Sequence, residues 1–390
     1  MIDFKLEAEN IKEEIIKIRR DIHENPELDF ELYRTSNLVK NYLKDNNIEY
    51  YETAKTGVCG IIKGRNTEKV IAVRADMDAL PLIDKKNVSY KSKVEGKMHA
   101  CGHDAHTAIL LGVSKILYKY KDELNGSVKL LFEPAEETSG GAPIMIKEGV
   151  LENPKVTGII GLHVSENVDC GKIRVKDGMV NAASNPFNIT IVGKGGHGAM
   201  PHYTIDPIVI TSHLITALQS IRSRELAPVN PGVLTISSIH GGTCNNVIPE
   251  SIEIKGIIRT VNIEDREYVK KRVKEISKGI CESFGGKAIV NIEEGYPSLI
   301  NNTDMVNRIK KVGEKILKKE NVLTQNAPSM GVESFAYFAR ERPSVFYFLG
   351  TKGENANSPA HGSYFDIKEE GLILGIAIQC EYVYDYLTRG

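Results

Sequence analysis

Four short runs in the first half of the chain are hydrophobic almost without interruption: Gly57 to Lys63, Lys69 to Arg74, Ser127 to Phe132 and Val156 to Val164. A strand with one wet face alternates between apolar and polar positions. Continuous runs such as KVIAVR, SVKLLF and TGIIGL therefore predict strands covered on both faces by helices, as in an α/β sheet. Helices are predicted over residues 8–22, 31–46, 104–122 and 142–149, several of them stopping at Asn or Gly clusters.

The order changes near Asn185. A strand (Phe187 to Val192), a helix (Pro207 to Arg224), two strands (Val233 to His240, Ser251 to Thr260), a helix (Ile263 to Phe284) and a strand (Ala288 to Glu293) follow one another. This βαββαβ succession is the ferredoxin-like signature, a four-stranded antiparallel sheet with two helices on one face. After Pro297 come a helix (Asp304 to Lys319), a short helix near Glu333 to Arg340, a strand (Val345 to Leu349), a loop containing Asn357 and a terminal helix (Lys368 to Leu387). The expected architecture is α/β. A three-layer domain with a central, mostly parallel sheet is built from residues 1–184 and 298–390, and a ferredoxin-like domain is inserted at residues 185–297.

Length and composition agree with this division, since 390 residues suit two domains. Hydrophobic residues at 41% and charged residues at 26% exclude disorder and collagen. Fifty basic residues against 51 acidic ones give a net charge of -1, so no global field draws the chain to nucleic acid or to an anionic membrane. The longest uncharged run, Pro207 to Ile221, includes Ser, His, Thr and Gln and falls short of the roughly 20 apolar residues that span a bilayer. Met1 to Arg20 is amphipathic and lacks the features of a secretory signal. Cys59, Cys101, Cys170, Cys244, Cys281 and Cys380 are scattered with no Cys-x-x-Cys, which suits a reduced cytoplasm.

Candidate chemistry collects first at His99-Ala100-Cys101-Gly102-His103-Asp104-Ala105-His106, just ahead of an apolar helix. Imidazole and thiolate are preferred ligands of borderline-soft divalent ions, and Gly102 permits a tight turn between Cys101 and His103. The alternative is a solvated helix start with Asp104 as its N-cap. A second cluster, Glu133-Pro134-Ala135-Glu136-Glu137, follows the strand SVKLLF. Ligands of open α/β sheets bind off the carboxyl ends of strands, so one glutamate can coordinate a metal while the other takes a proton from water. His163 is expected to end the strand TGIIGLHV, and Asp76 with Asp78 to end KVIAVRADMDAL, bringing further donors to the same edge. His361, in a late loop, is a last donor. Gly193 to Gly198 formally fits G-x-G-x-x-G, but Pro201 and Pro207 delay the helix that a dinucleotide fingerprint must open directly.

Taken in order, RADMDALP (Arg74 to Pro81), HACGHDAHT (His99 to Thr107), FEPAEE (Phe132 to Glu137), GLHV (Gly161 to Val164), GKGGHGAMPH (Gly193 to His202) and GGTCNNVIP (Gly241 to Pro249) resemble the M20 metallopeptidases. More narrowly, they resemble the amidohydrolase branch, with its hippurate hydrolases and N-acyl-L-amino acid and N-acetyldiaminopimelate deacylases. The resemblance implies a catalytic α/β domain with two divalent metal ions per subunit (Mn²⁺ or Zn²⁺, with Ni²⁺ or Co²⁺ as further candidates) and an inserted domain that forms a homodimer. It makes Cys101, His103, Glu137, His163 and His361 the metal ligands, Glu136 the general base and Asp76 an orienting carboxylate. His197 would come from the partner subunit to stabilise the oxyanion, helped by Asn246, and Arg259 would hold a substrate carboxylate.

The implied reaction is hydrolysis of small N-acyl amino acids: a water bridging two ions loses its proton to Glu136 and attacks the amide carbonyl. The alternatives are a dipeptidase or carboxypeptidase on the same site, and a catalytically silent metal-binding dimeric scaffold. Two positions depart from the family pattern. Ser334 replaces the Asp of G-x-E-D-F, and His361 lies in Ala-His-Gly-Ser rather than Leu-His-x-Pro.

Overall fold

In the computed structural model, which describes residues 2–66, 68–353 and 358–389, the uninterrupted apolar runs become the middle of an eight-stranded sheet. Across it the order is Glu49–Thr53, Gly57–Lys63, Ser127–Glu133, Val70–Asp76, Gly158–Asp169, Ser344–Lys352, Ile173–Val175 and Val322–Thr324. Val70–Asp76 runs parallel to both its neighbours, as does Gly158–Asp169 to Ser344–Lys352 and Ile173–Val175 to Val322–Thr324. The pairings of Gly57–Lys63 on either side, and of Ile173–Val175 with Ser344–Lys352, are antiparallel. Every residue of Val70–Asp76 and of Ser127–Glu133 is buried, so both faces of the sheet's centre are covered. Residues 103–114 of the helix His103–Lys119 are buried all round, which explains why that helix has no polar stripe.

The chain divides into two compact units, one formed by Met1–Gly178, Ile300–Asn326 and Ser334–Gly390, the other by Met179–Leu299 and Ala327–Glu333. The second unit holds an antiparallel sheet ordered Gly232–His240, Ser251–Thr260, Ala183–Val192, Lys287–Ile292. Counted within the unit this is strand order 2-3-1-4, the ferredoxin-like arrangement. Phe187, Ile189 and Ile191 of the sheet pack with Leu214 of the helix Pro207–Ser220 and Val273 of the helix Ile263–Ser283 in its core.

Several local expectations differ from the structure for physical reasons. Residues 8–22 do not form one helix. Phe4–Asn10, capped by the Asp3 side chain, is followed by Lys12–Glu24, and the break falls at Ile11, whose φ of −109° and ψ of 9° leave the helical region. The strands Glu49–Thr53, Ile173–Val175 and Val322–Thr324 went unread because they are short and lie at or near the sheet's edges. Glu49–Thr53 is exposed at four of its five positions, so it carries no apolar run. His163 does not end its strand, which continues to Asp169. Asn357 lies outside the described residues, and no helix among those described is long and apolar enough to cross a membrane.

Candidate metal centre

The centre is assembled within the first unit from strand ends, one helix start, His163 in the middle of Gly158–Asp169 and the loop of His361. Parallel register sets Asp76 directly opposite Glu133, so the two central strands finish level. The loop after Glu133 turns at Ala135, whose φ of 58° is left-handed. That turn points two successive amides at one carboxylate: the N–H groups of Glu136 and Glu137 donate to Asp78 Oδ1 and Oδ2, each at 3.0 Å. His103 Nδ1 lies 3.3 Å from the same Asp78 Oδ1. Asp78 thus positions three candidate residues, a role its sequence context, a strand end, left unassigned.

Gly102, with φ of 96°, occupies the N-cap position of the helix His103–Lys119. A Cβ there would fall 2.3 Å from Val164 Cγ2, so both backbone angle and space demand glycine. This corrects the alternative reading of Asp104 as N-cap. Asp104 lies inside the helix, where its Oδ2 is 2.8 Å from Arg19 Nε and 2.7 Å from His23 Nδ1, and all three side chains are fully buried.

The donor atoms converge. Cys101 Sγ lies 3.3 Å from His163 Nε2, while His163 Nδ1–H donates to the Val164 carbonyl at 2.6 Å, leaving the Nε2 lone pair facing the sulfur. Glu137 Oε1 is 3.7 Å from His103 Nε2 and 3.4 Å from His361 Nε2. Cys101 belongs both to a group with His103 and His163 and to one with Glu137 and His361, each with its donor atoms within 4.8 Å of one another. Donors placed tetrahedrally at about 2.1 Å from an ion are about 3.4 Å apart, so these separations fit metal coordination.

Two further observations fit the same chemistry. His103 Nε2 and Glu137 Oε1 are buried without a hydrogen-bond partner, a costly condition for two adjacent polar atoms. Burial also pushes the Cys101 thiol well above its usual range, despite His103, so a thiolate here needs a nearby cation. Burial alone would raise Glu137, but His361 and His103 outweigh it and bring the carboxyl down to about 2, keeping it anionic.

His106 is different. Its Nδ1–H donates to Asp76 Oδ1 at 2.6 Å and its Nε2 accepts the Val164 N–H at 2.9 Å, so both nitrogens are committed. Burial, partly offset by Asp76, lowers its pKa to about 4 and keeps it neutral. Asp76 itself would be raised by burial, but His103, Arg74 and His106 hold it well below the usual carboxylate range.

Glu136 is buried beside these donors, and its Oε1 accepts the Ser334 N–H at 3.1 Å. The Ser334 hydroxyl lies between Arg74 and Glu133, 2.7 Å from each. His361 sits at a left-handed φ of 65°. Its amide bonds Ala100 O at 2.7 Å, and the Ala360 N–H donates to Glu166 Oε1 at 3.1 Å. Arg74, Ser334 and Glu166 are thus support residues to which the sequence pattern assigns no role, and Asp78, expected as a donor at this edge, holds the amides of Glu136 and Glu137.

The remaining candidates lie in the second unit. His197 and Asn246 are exposed neighbours: Gly196–His197 pairs with Val247–Ile248, and the Gly198 N–H donates to Asn246 O at 2.8 Å. The Ala199 N–H donates to His197 Nδ1 at 3.1 Å, so the neutral ring carries its proton on Nε2, free to point outward. Arg259 pairs with Ser184, whereas Val192, just before the His197 loop, pairs with Ser251. Arg259 therefore sits near one end of this strand pair and the loop that carries His197 leaves from the other, about 26 Å of strand away. Burial lowers the Arg259 pKa.

Comparison with known proteins places this architecture. The profile of Peptidase family M20/M25/M40 matches residues 72–385. The chain is 40% identical over 378 residues to thermostable carboxypeptidase 2 of Saccharolobus solfataricus, covering 95% of each chain. It is also 40% identical to an N-acetyl-L-cysteine deacetylase of Bacillus subtilis, covering 93% of this chain and 86% of that one. A crystal structure of a dinuclear metal-binding M20 peptidase from Bacillus subtilis superposes with a TM-score of 0.85 at 33% identity, covering 97% of this chain and 99% of that one. The chain belongs to peptidase family M20/M25/M40, as a hydrolase of amide bonds whose relatives fit the amidohydrolase branch.

Proposed function

We propose that this chain hydrolyses the amide bond of small N-acyl amino acids, such as N-acetyl or N-benzoyl derivatives, releasing a carboxylic acid and a free amino acid. The observation that carries the reading is Glu136, a buried carboxylate whose oxygen lies within 4.8 Å of donor atoms of His103 and Glu137; we assign it as the base that the ligand set of Cys101, His103, Glu137, His163 and His361 leaves over. Two divalent cations held by that set, of which Mn²⁺ or Zn²⁺ suit the donors best, would polarise the substrate carbonyl and acidify the attacking water. Support for two ions comes from the dinuclear relative and from the two donor groups that share Cys101.

Glu136 takes the proton of the attacking water and returns it to the leaving amine. Asp76, fixed by Arg74 and His106, orients the donor side of the cluster through His103. His197 donates its Nε2–H to the developing oxyanion, with Asn246 beside it, and the Arg259 guanidinium grips the substrate carboxylate. The length of strand between Arg259 and the start of the loop that carries His197 favours His197 serving the site of a partner subunit.

A homodimer through the inserted unit is supported by the helix Pro207–Ser220, which has no charged residue yet exposes Ile208 and Val209, and by the edge strand Gly232–His240. Six free thiols suit the cytoplasm.

The test is a panel of N-acetyl, N-benzoyl and dipeptide substrates assayed with added Mn²⁺, Zn²⁺, Ni²⁺ or Co²⁺, comparing wild type with Glu136→Ala. N-acyl amino acids should turn over only in wild type. Preferential cleavage of dipeptides would favour the peptidase reading, which the carboxypeptidase relative supports. Metal binding without hydrolysis by either protein would favour a silent scaffold.

A further inference from the structure

We infer that Ser334 is a positioning residue for Glu136, acting as a staple across the turn that carries it; this rests on Glu136 being the general base. Ser334 is fully buried and reaches both ends of the segment Glu133-Pro134-Ala135-Glu136. Its hydroxyl donates to Glu133 Oε1 at 2.7 Å, and its backbone N–H donates to Glu136 Oε1 at 3.1 Å. The hydroxyl in turn accepts Arg74 Nη2–H at 2.7 Å, and Arg74 Nε–H donates to Glu133 Oε2 at 2.7 Å. Arg74, Ser334 and Glu133 therefore close a ring of three hydrogen bonds, from which the Ser334 amide projects onto Glu136.

The chemistry of the position explains why a hydroxyl serves there. Arg74 already faces two buried carboxylates, Asp76 at 2.6 Å and Glu133. Residue 334 must accept from a guanidinium on one side and donate to a carboxylate on the other. A hydroxyl does both at once. Alanine does neither, so it removes one hydrogen bond from Arg74 and one from Glu133 Oε1, which keeps the Ala142 N–H. Because Ala135 holds a left-handed backbone angle, the turn between Glu133 and Glu136 is one that its own residues do not favour, and an external tie at each end counters its relaxation. Asp78 holds the backbone amides of both Glu136 and Glu137, so loosening the tie would leave that backbone and the donor cluster in place while the Glu136 carboxylate swings away from the atom whose proton it takes.

The experiment uses the Mn²⁺-loaded full chain with an N-acyl amino acid that wild type cleaves, comparing Ser334→Ala, Ser334→Thr, Glu136→Gln and the Ser334→Ala/Glu136→Gln double variant. Ser334→Ala should keep its metal content and KM while kcat falls about 10- to 100-fold, and Ser334→Thr, which retains the hydroxyl, should recover most of that loss. In the Glu136→Gln background, adding Ser334→Ala should change residual kcat less than about twofold, because the staple no longer has a base to position. Wild-type kcat in Ser334→Ala, a loss of metal in step with activity, or a full multiplicative loss in the double variant would each overturn the inference. Should Ser334→Ala not fold, an unrecovered kcat in a folded, metal-replete Ser334→Thr protein overturns it equally. Full activity in Glu136→Gln would instead remove the general-base reading, whatever Ser334→Ala does.

Discussion

Cys101 Sγ and His163 Nε2 stand 3.3 Å apart across 62 residues of sequence. The imidazole's other nitrogen is bound to the Val164 carbonyl, so the sulfur faces a lone pair. Two such atoms at this distance share either a proton or a cation. Cys101→Ala should abolish metal-dependent hydrolysis and lower bound metal, measured by elemental analysis of the protein after dialysis; unchanged metal content would remove Cys101 from the ligand set.

Asp78 binds the amides of both Glu136 and Glu137 and approaches His103, yet it is not a member of the donor groups built around Cys101. Asp78→Asn keeps the shape but turns one acceptor oxygen into an amide donor facing a backbone N–H. Metal affinity or kcat should fall about 10- to 100-fold, the usual effect of disturbing residues that orient ligands. Calorimetric titration with Mn²⁺ alongside steady-state kinetics would show it.

Gly102 combines a left-handed backbone with a 2.3 Å approach of any added Cβ to Val164. Gly102→Ala should destabilise the protein by about 1–3 kcal/mol, read from urea unfolding of the metal-free chain. Wild-type stability in that variant would show that the loop relaxes at no cost.

Arg19 is completely buried and contacts Asp104, Asp366 and Glu369. Arg19→Met would leave Asp104, itself buried, with His23 as its partner at 2.7 Å. The loss should be about 3–5 kcal/mol in denaturant unfolding, because removing one partner of a buried pair strands the other's charge. Adding Asp104→Asn should restore part of it.

Val209→Lys places a charge on the uncharged, exposed face of the helix Pro207–Ser220 and should shift the protein toward monomer in light-scattering measurements. Mixing Glu136→Ala and His197→Ala chains should restore activity if His197 works in the partner's site; subunit exchange with no recovery would count against that role.

The centre of the large sheet was legible because its strands are covered on both faces and so read as unbroken apolar runs. Edge strands such as Glu49–Thr53 were not, since exposure erases the hydrophobic signal. The convergence of Cys101, His103, Glu136 and Glu137 was legible from their places at a strand end and a helix start, whereas His163, expected at a strand end, sits in the middle of Gly158–Asp169. What sequence pattern could not convey was the support beneath them. The function of Asp78 depends on a left-handed turn at Ala135, and that of Ser334 on a contact with a glutamate 201 residues away. The capping role expected of Asp104 belongs to Gly102, because Arg19 and His23 claim the carboxylate for the interior.

The register that sets Asp76 beside Glu133 also constrains how this chain can change length. Deleting one residue from either strand would turn its terminal acid to the opposite face, so the rim that carries the chemistry tolerates almost no gaps. The opposite rim carries none of these donors, although the connection ahead of Ser127 is itself fixed by Leu124 in the core and by Gly126 against Lys69. Peptide tags or sensor domains spliced into this protein belong on that silent side.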